Sequence, residues 1–166
     1  MLKSKSVQAE QGSTMMEILV SVLITTTFVL LSMQALVMAT MLRVQAQRTE
    51  QANSWLQEDI ENAKIQALAI APDNQKCYAS TYANGYAADL QNTLNTNLPI
   101  DASSARTIFG TVYNMERTYI TAGSAAPHKV LRINYQIRPW NRTNYTGDAI
   151  ARDYIELIPD PALQGP

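Results

Sequence analysis

The stretch ILVSVLITTTFVLLSMQALVMATML, residues 18–42, decides the architecture of this 166-residue chain. It holds 18 hydrophobic residues out of 25 and no charged residue. As an α-helix it would extend about 37 Å at ~1.5 Å per residue, enough to cross a hydrocarbon layer of roughly 30 Å with some tilt. The sequence therefore predicts one membrane-spanning helix here.

The helical region is expected to continue well beyond the apolar run. Residues 13–71 contain neither Gly nor Pro, whereas seven Pro and five Gly follow. Pro72 should end the helix, because the residue before a proline disfavours the α conformation. The second half, residues 43–71, carries an apolar stripe at intervals of three and four, typical of a helix with one face on a core. The stripe consists of Ala52, Leu56, Ile60, Ala63, Ala67 and Ile70.

Residues 72–106 are small and polar and are interpreted as a connecting region. One short helix is expected around Tyr78 to Leu94, because Tyr78, Tyr82 and Tyr86 recur every four residues. Such a stripe is compatible with binding to a surface or to a sugar, but it is more typical of the packed face of a short helix. We therefore expect the three tyrosines on one helix.

The last part of the chain, residues 107–166, changes from a helical period to a period of two. In residues 131–138 apolar and polar side chains alternate, which predicts a half-buried strand. Weaker alternation in residues 111–121 and 149–158 predicts two more strands, with loops at 122–127 and 141–147. We therefore expect an α+β fold, with a long N-terminal helix packed on a C-terminal antiparallel sheet.

Composition excludes several classes of function. A net charge of −1 argues against a nucleic-acid binder. The single cysteine, Cys77, excludes an internal disulfide and argues against a thiolate zinc site, and the single histidine, His128, argues against a His-ligated metal or a catalytic triad. Paired carboxylates, a nucleophile elbow and a phosphate-binding glycine loop are also missing from the sequence. We therefore expect no enzymatic activity, no metal and no cofactor.

Two clusters of charged residues are compatible with binding sites. Glu58, Asp59 and Glu61 are compatible with a metal site, but successive helical positions point in different directions, so a solvated helix face is the preferred interpretation. Arginines 132, 138 and 142 surround Trp140 and are compatible with DNA binding. Alternate arginines are more typical of the solvated face of a strand, and the net charge gives DNA no support.

The residues before the apolar run indicate how it is oriented and processed. Lys3 and Lys5 precede it, so the positive-inside rule predicts a cytoplasmic amino terminus and an extracytoplasmic domain after Leu42. A secretory signal carries its small-residue cleavage site after the apolar segment. The residues Ala39-Thr40-Met41 fit such a site poorly, which points to a segment that stays attached.

Gly12, followed by Ser-Thr-Met-Met, Glu17 and Ile-Leu-Val, resembles the leader and start of a type IV prepilin or pseudopilin. In that family a membrane peptidase cuts after a glycine on the cytoplasmic side and methylates the new amino terminus. The resemblance implies that residues 1–12 form a cleaved leader and that the cut lies between Gly12 and Ser13. It further implies that Ser13, where the family usually has Phe or Met, becomes N-methylated, and that Glu17 is the family's fifth-position glutamate.

The resemblance implies assembly rather than catalysis. A carboxylate at membrane depth costs roughly 2.5 to 3.5 kcal/mol, so Glu17 should have either a partner or access to water at the membrane edge. In the family the partner is the amino terminus of a neighbouring subunit, here Ser13. The chain would wait in the membrane and then pack residues 13–42 into a filament core. The implied partners are the prepilin peptidase, an inner-membrane assembly platform, other pilin subunits and, before assembly, membrane lipid.

The expected function is that of a minor pilin-like subunit serving filament initiation, adhesion, motility or DNA uptake. The residues Arg117-Thr118-Tyr119-Ile120 on one strand, and a second strand ending in Trp140, are similar to minor pilins of the PilV-like kind. The first alternative is a minor pseudopilin of type II secretion. An alternative of another class is a single-pass signal-anchor protein with an outward sensory or binding domain. The expected location is the bacterial inner membrane, and then a surface or periplasmic filament.

Overall fold

A computed structural model describes residues 7–121 and 128–164, and for residues 7–13 and 164 it describes the helical backbone alone. The described part divides into two compact units, one ending at Ala46 and the other beginning at Gln47. The predicted loop at 122–127 and the first six residues of the predicted leader lie outside the described residues. The α-helices are α1 (Val7–Leu68), α2 (Asn74–Cys77), α3 (Tyr86–Asn97) and α4 (Asp160–Gln164). The strands are β1 (Arg106–Ile108), β2 (Thr111–Ile120), β3 (Leu131–Pro139) and β4 (Ala151–Leu157).

The part of α1 that belongs to the second unit lays its apolar stripe on the core, as the spacing predicts. Leu56 is 1 % exposed and Ile60 3 %. Trp55, which the stripe did not include, is also buried. Full burial of one such aliphatic side chain contributes about 1.5–3 kcal/mol, so the stripe holds this half of the helix on the sheet. The helix ends at Leu68, three residues before the predicted end, where the Ala69 N–H is shared between two carbonyls of the last turn.

The four strands form one antiparallel sheet in the order β1-β2-β3-β4. Its inner face is apolar because β3 alternates as predicted, with Ile133, Tyr135 and Ile137 fully buried. The predicted α+β fold, a long N-terminal helix with a C-terminal antiparallel sheet, is thus confirmed. Strand β1 has three residues and was not predicted, because so short a segment shows no usable alternation.

The hairpin between β1 and β2 turns on Phe109 and Gly110, which have φ values of 47° and 78°. Two consecutive positive φ angles are typical of the tight two-residue turn that suits the twist of a hairpin. Glycine adopts this conformation freely, but a phenylalanine rarely does. The Arg48 guanidinium lies 5.9 Å from the centroid of the Phe109 ring, which joins the turn to α1.

The connecting region differs from the prediction. Tyr78, Tyr82 and Tyr86 do not lie on one helix, since Tyr78 follows α2, Tyr82 starts a 3₁₀ turn and Tyr86 begins α3. Tyr78 is 71 % exposed, whereas Tyr86 is buried. Gly85 separates the 3₁₀ turn from α3, and its extended backbone interrupts the helix that the fourfold spacing predicted.

Gly85 also lies against the backbone of His128, in the segment that leads into β3. A Cβ atom at this position would lie 2.4 Å from both the Cβ and the carbonyl oxygen of His128. The same His128 carbonyl accepts a hydrogen bond from the Ala87 N–H at 3.0 Å, so the two segments cannot separate without losing it. Only a residue without a side chain fits this contact.

We expect Gly85→Ala to destabilise the second unit by about 1–3 kcal/mol, because the added methyl group must push two backbones apart. The fluorescence of Trp55 and Trp140 during thermal unfolding measures this, since both tryptophans lie in this unit. Gly110→Asn is a suitable control, because nothing lies within 4 Å of a Cβ there and asparagine tolerates positive φ. Equal melting temperatures for Gly85→Ala and the unmodified chain would contradict the contact.

Candidate functional site

The candidate site is the apolar half of α1. Thr14–Leu68 contains a window with a mean hydropathy of 2.0, and none of that window is buried. Every large hydrophobic side chain between residues 14 and 42 is at least half exposed, the least exposed being Val29 at 50 %. A helix that is apolar all round needs an apolar surrounding, either lipid or other helices. By length and composition this helix could span a membrane.

Five hydroxyl groups in the apolar segment donate hydrogen bonds within the helix itself. Thr25 and Thr27 donate to the carbonyls of Ser21 and Leu23 at 2.7 and 2.6 Å. Thr26, Ser32 and Thr40 donate to carbonyls three or four residues before them in the same way. Such back-bonding removes the need for water, so these groups do not hinder burial in lipid or in a helix bundle.

The residues predicted for processing and assembly all lie on α1. Gly12 and Ser13 are helical in their backbone, and Glu17 is exposed. Positions 13 and 17 are four residues apart, so they fall on one face of the helix, separated by one turn. Glu17 is the last charged residue before the uncharged run from 18 to 42. The structure therefore places a carboxylate one turn beyond the predicted new amino terminus.

The second unit contains a buried ion pair between α1 and β2. Arg117 Nη2 lies 2.7 Å from Asp59 Oδ2, and the two side chains are 3 % and 16 % exposed. Arg117 Nη1 also donates to the Leu98 carbonyl at 3.2 Å, and the guanidinium lies 5.6 Å from the ring centroid of Tyr135. The interpretation of Asp59 as part of a solvated helix face is therefore wrong. Its carboxylate faces the sheet because an arginine at an inward strand position pairs with it.

Burial and the ion pair between Asp59 and Arg117 have opposite effects on the pKa of Arg117. Burial disfavours the charge of Arg117, but the adjacent Asp59 carboxylate, which accepts a hydrogen bond from the guanidinium, holds the pKa of Arg117 above its usual value. Burial raises the pKa of the Tyr135 phenol, whose oxygen has no hydrogen-bond partner in the described structure. Arg117 is thus held charged and Tyr135 neutral, which makes the cluster a fixed link between α1 and the sheet.

The arginines considered for DNA binding are partly neutralised. Arg132 lies 3.0 Å from Glu156, and Arg138 lies 3.3 Å from Glu116. Trp140 packs on Tyr145 with ring centroids 4.8 Å apart. Two of the three arginines thus have carboxylate partners on the outer face of the sheet, as the solvated-face interpretation requires.

Cys77 is a free, buried thiol, as expected from its lack of a partner in the sequence. Its Sγ donates to the Tyr86 hydroxyl at 3.7 Å, and that hydroxyl donates to the Asp73 carbonyl at 2.8 Å. Burial raises the pKa of Tyr86.

Among residues 7–121 and 128–164, no group of three or more His, Cys, Asp or Glu side chains is placed to hold a metal ion.

Comparison of this chain with protein-family models, with curated proteins and with solved structures found no match. The functional argument therefore rests on the residues and on the geometry described above.

Proposed function

We propose that this chain is a minor pilin-like subunit of a bacterial type IV filament, processed by a prepilin peptidase and assembled through the apolar half of α1. The observation that carries the proposal is a single helix, Val7–Leu68, whose two halves have different surfaces. The large hydrophobic side chains of its apolar segment are exposed, and its second half lies on a folded domain. Such a helix can move from lipid into a bundle while the domain stays in water.

Gly12 and Glu17 support this function over a plain membrane anchor. A signal anchor needs neither a glycine within its helix just before the apolar run nor a carboxylate at the edge of that run. Glycine weakens a helix by about 1 kcal/mol relative to alanine, and a carboxylate near lipid is unfavourable. Both features have a use if a peptidase cuts after Gly12 and if Glu17 then binds the amine of a neighbouring Ser13. A minor pseudopilin of type II secretion would use the same two residues.

Mass spectrometry of the full chain tests the processing step. With the prepilin peptidase present, we expect the mass to fall by that of residues 1–12 and to rise by one methyl group. Gly12→Val should block the change, because a branched side chain replaces the residue at the cut. Gln11→Ala is the matched leader control and should be processed normally. An unchanged mass with active peptidase would favour a signal-anchor protein and would overturn the proposal.

Electron microscopy of cells that carry or lack this chain separates the filament types. For a minor pilin we expect fewer surface filaments in cells that lack the chain, whereas secretion should be unaffected. A loss of secretion with normal surface filaments would instead identify a pseudopilin.

The expected topology, with a cytoplasmic amino terminus and the second unit outside the inner membrane, follows from Lys3 and Lys5.

A further inference from the structure

Four polar side chains form a compact group on the outer face of β3 and β4, which we name the β3–β4 block: Asn134, Gln136, Arg152 and Tyr154. Asn134 is the cross-strand partner of Tyr154, and Gln136 is the partner of Arg152. All four face away from the core, because the residues between them on β3 point inward. The block lines a shallow depression of about 430 Å³ on this face.

Three of the four polar side chains in the block are unpaired among the described residues. Within the part of the chain that the structure describes, the side chains of Asn134, Gln136 and Arg152 make no hydrogen bond or ion pair. The neighbouring arginines on this face differ, since Arg132 and Arg138 each pair with a glutamate. The block therefore presents two amides and one unpaired guanidinium to solvent, and these groups can both donate and accept hydrogen bonds.

The aromatic ring of the block is held in place. The Tyr154 hydroxyl donates to Glu156 Oε1 at 2.5 Å, and Glu156 is in turn paired with Arg132 at 3.0 Å. This hydrogen bond raises the pKa of Tyr154, so the hydroxyl stays a donor. The side chain is 47 % exposed, which leaves ring surface open beside the amides. A fixed ring lowers the entropic cost of binding a ligand.

The spacing and chemistry of the block fit one sugar ring. Side chains paired across strands lie about 5 Å apart and those two residues along a strand about 6.6 Å apart, so the block has the dimensions of a pyranose. The electron-rich face of a tyrosine packs on the C–H face of a sugar, and amides bind vicinal hydroxyls. A guanidinium binds a carboxylate through two parallel hydrogen bonds.

We propose that the β3–β4 block binds an acidic pyranose, with the sugar ring on Tyr154, its carboxylate on Arg152 and its hydroxyls on Asn134 and Gln136. Nearby carboxylates do not compete for Arg152. Glu156 is paired with Arg132, and Asp153 is the register partner of Tyr135, whose side chain lies on the inner face. The site does not rest on filament assembly, because every residue of it belongs to the sheet.

Ligand-observed NMR on the full chain in phosphatidylcholine nanodiscs tests this site without sugar-based detergents. The probes are methyl β-D-glucuronide and methyl β-D-glucoside at millimolar concentration. We expect the glucuronide to bind about tenfold more tightly than the glucoside, because only the glucuronide places a carboxylate on Arg152. No binding of the glucuronide, or equal affinities for the two sugars, would overturn the proposal.

Variants separate the two halves of the site. Arg152→Met should weaken glucuronide binding about tenfold and bring it close to that of the glucoside. Tyr154→Leu should reduce binding of both sugars, whereas Tyr154→Phe should keep the ring contact. Lys64→Met removes one positive charge from exposed α1 and should leave both affinities unchanged. Tryptophan fluorescence checks that each variant is folded, and a folded Arg152→Met that binds as the unmodified chain does would contradict the assignment.

Discussion

Glu17→Ala should be processed and should accumulate in the membrane, but its recovery in sheared filaments should fall at least about tenfold. A lost attraction of about 1.4 kcal/mol already gives that factor, and we expect a charge pair shielded from water to be at least this strong. The amount of protein in the membrane fraction should not fall, because removing a carboxylate from the start of an apolar segment favours its insertion. Quantitative immunoblots of the sheared and membrane fractions measure both quantities in cells that carry the whole assembly machinery.

Two further variants identify the cause of that loss. Glu17→Gln keeps the size and hydrogen-bonding capacity of the side chain but removes its charge, so it should fail nearly as completely as Glu17→Ala. Gln34→Ala is the matched control, since Gln34 is a polar residue within the same exposed apolar run. It should assemble normally. If both glutamate variants entered filaments as the unmodified chain does, Glu17 would have no role in assembly.

Local sequence patterns were sufficient for the parts of this fold that bury one continuous face. The stripe through Leu56 and Ile60 and the alternation in β3 are local, because each depends only on residues within a few positions. They gave the long helix, the sheet and the α+β class. That this helix could span a membrane likewise needed no tertiary information, because it follows from the length of the apolar run and its lack of charge.

Features that depend on distant partners were not predictable in this way. Asp59 looked like a solvated residue because its partner, Arg117, lies 58 positions later. The sequence does contain one local signal of a buried charge: Arg117 lies between Met115 and Tyr119, at a position of β2 that faces inward. Gly85 similarly depends on His128, and the β3–β4 block depends on the register between two strands. Loops outside the strands set that register, and the sequence alone did not reveal it.

Arg117→Met should destabilise the second unit by about 3–5 kcal/mol, the largest effect on stability that we expect from one substitution. It would leave Asp59 mostly buried without a cation and would free the Leu98 carbonyl. For a unit of this size the melting temperature should fall by about 10–20 °C. Thermal unfolding followed by tryptophan fluorescence in nanodiscs measures it. Lys64→Met, which breaks an exposed pair with Glu61, is the control and should cost less than about 1 kcal/mol.

The double variant Asp59→Leu with Arg117→Met shows what the pair contributes beyond avoiding a lone buried charge. Two apolar side chains of similar volume need no desolvation of charges, so the double variant should recover most of the stability lost by Arg117→Met. Arg117→Lys should be less stable than the double variant, because an ammonium group lacks the planar guanidinium that binds Asp59 and the Leu98 carbonyl at the same time. If the double variant were as unstable as Arg117→Met, the loss would come from packing against Tyr135 rather than from an unpaired Asp59. If it matched the unmodified chain, the ion pair would serve to fix the position of α1 on the sheet rather than to stabilise the fold.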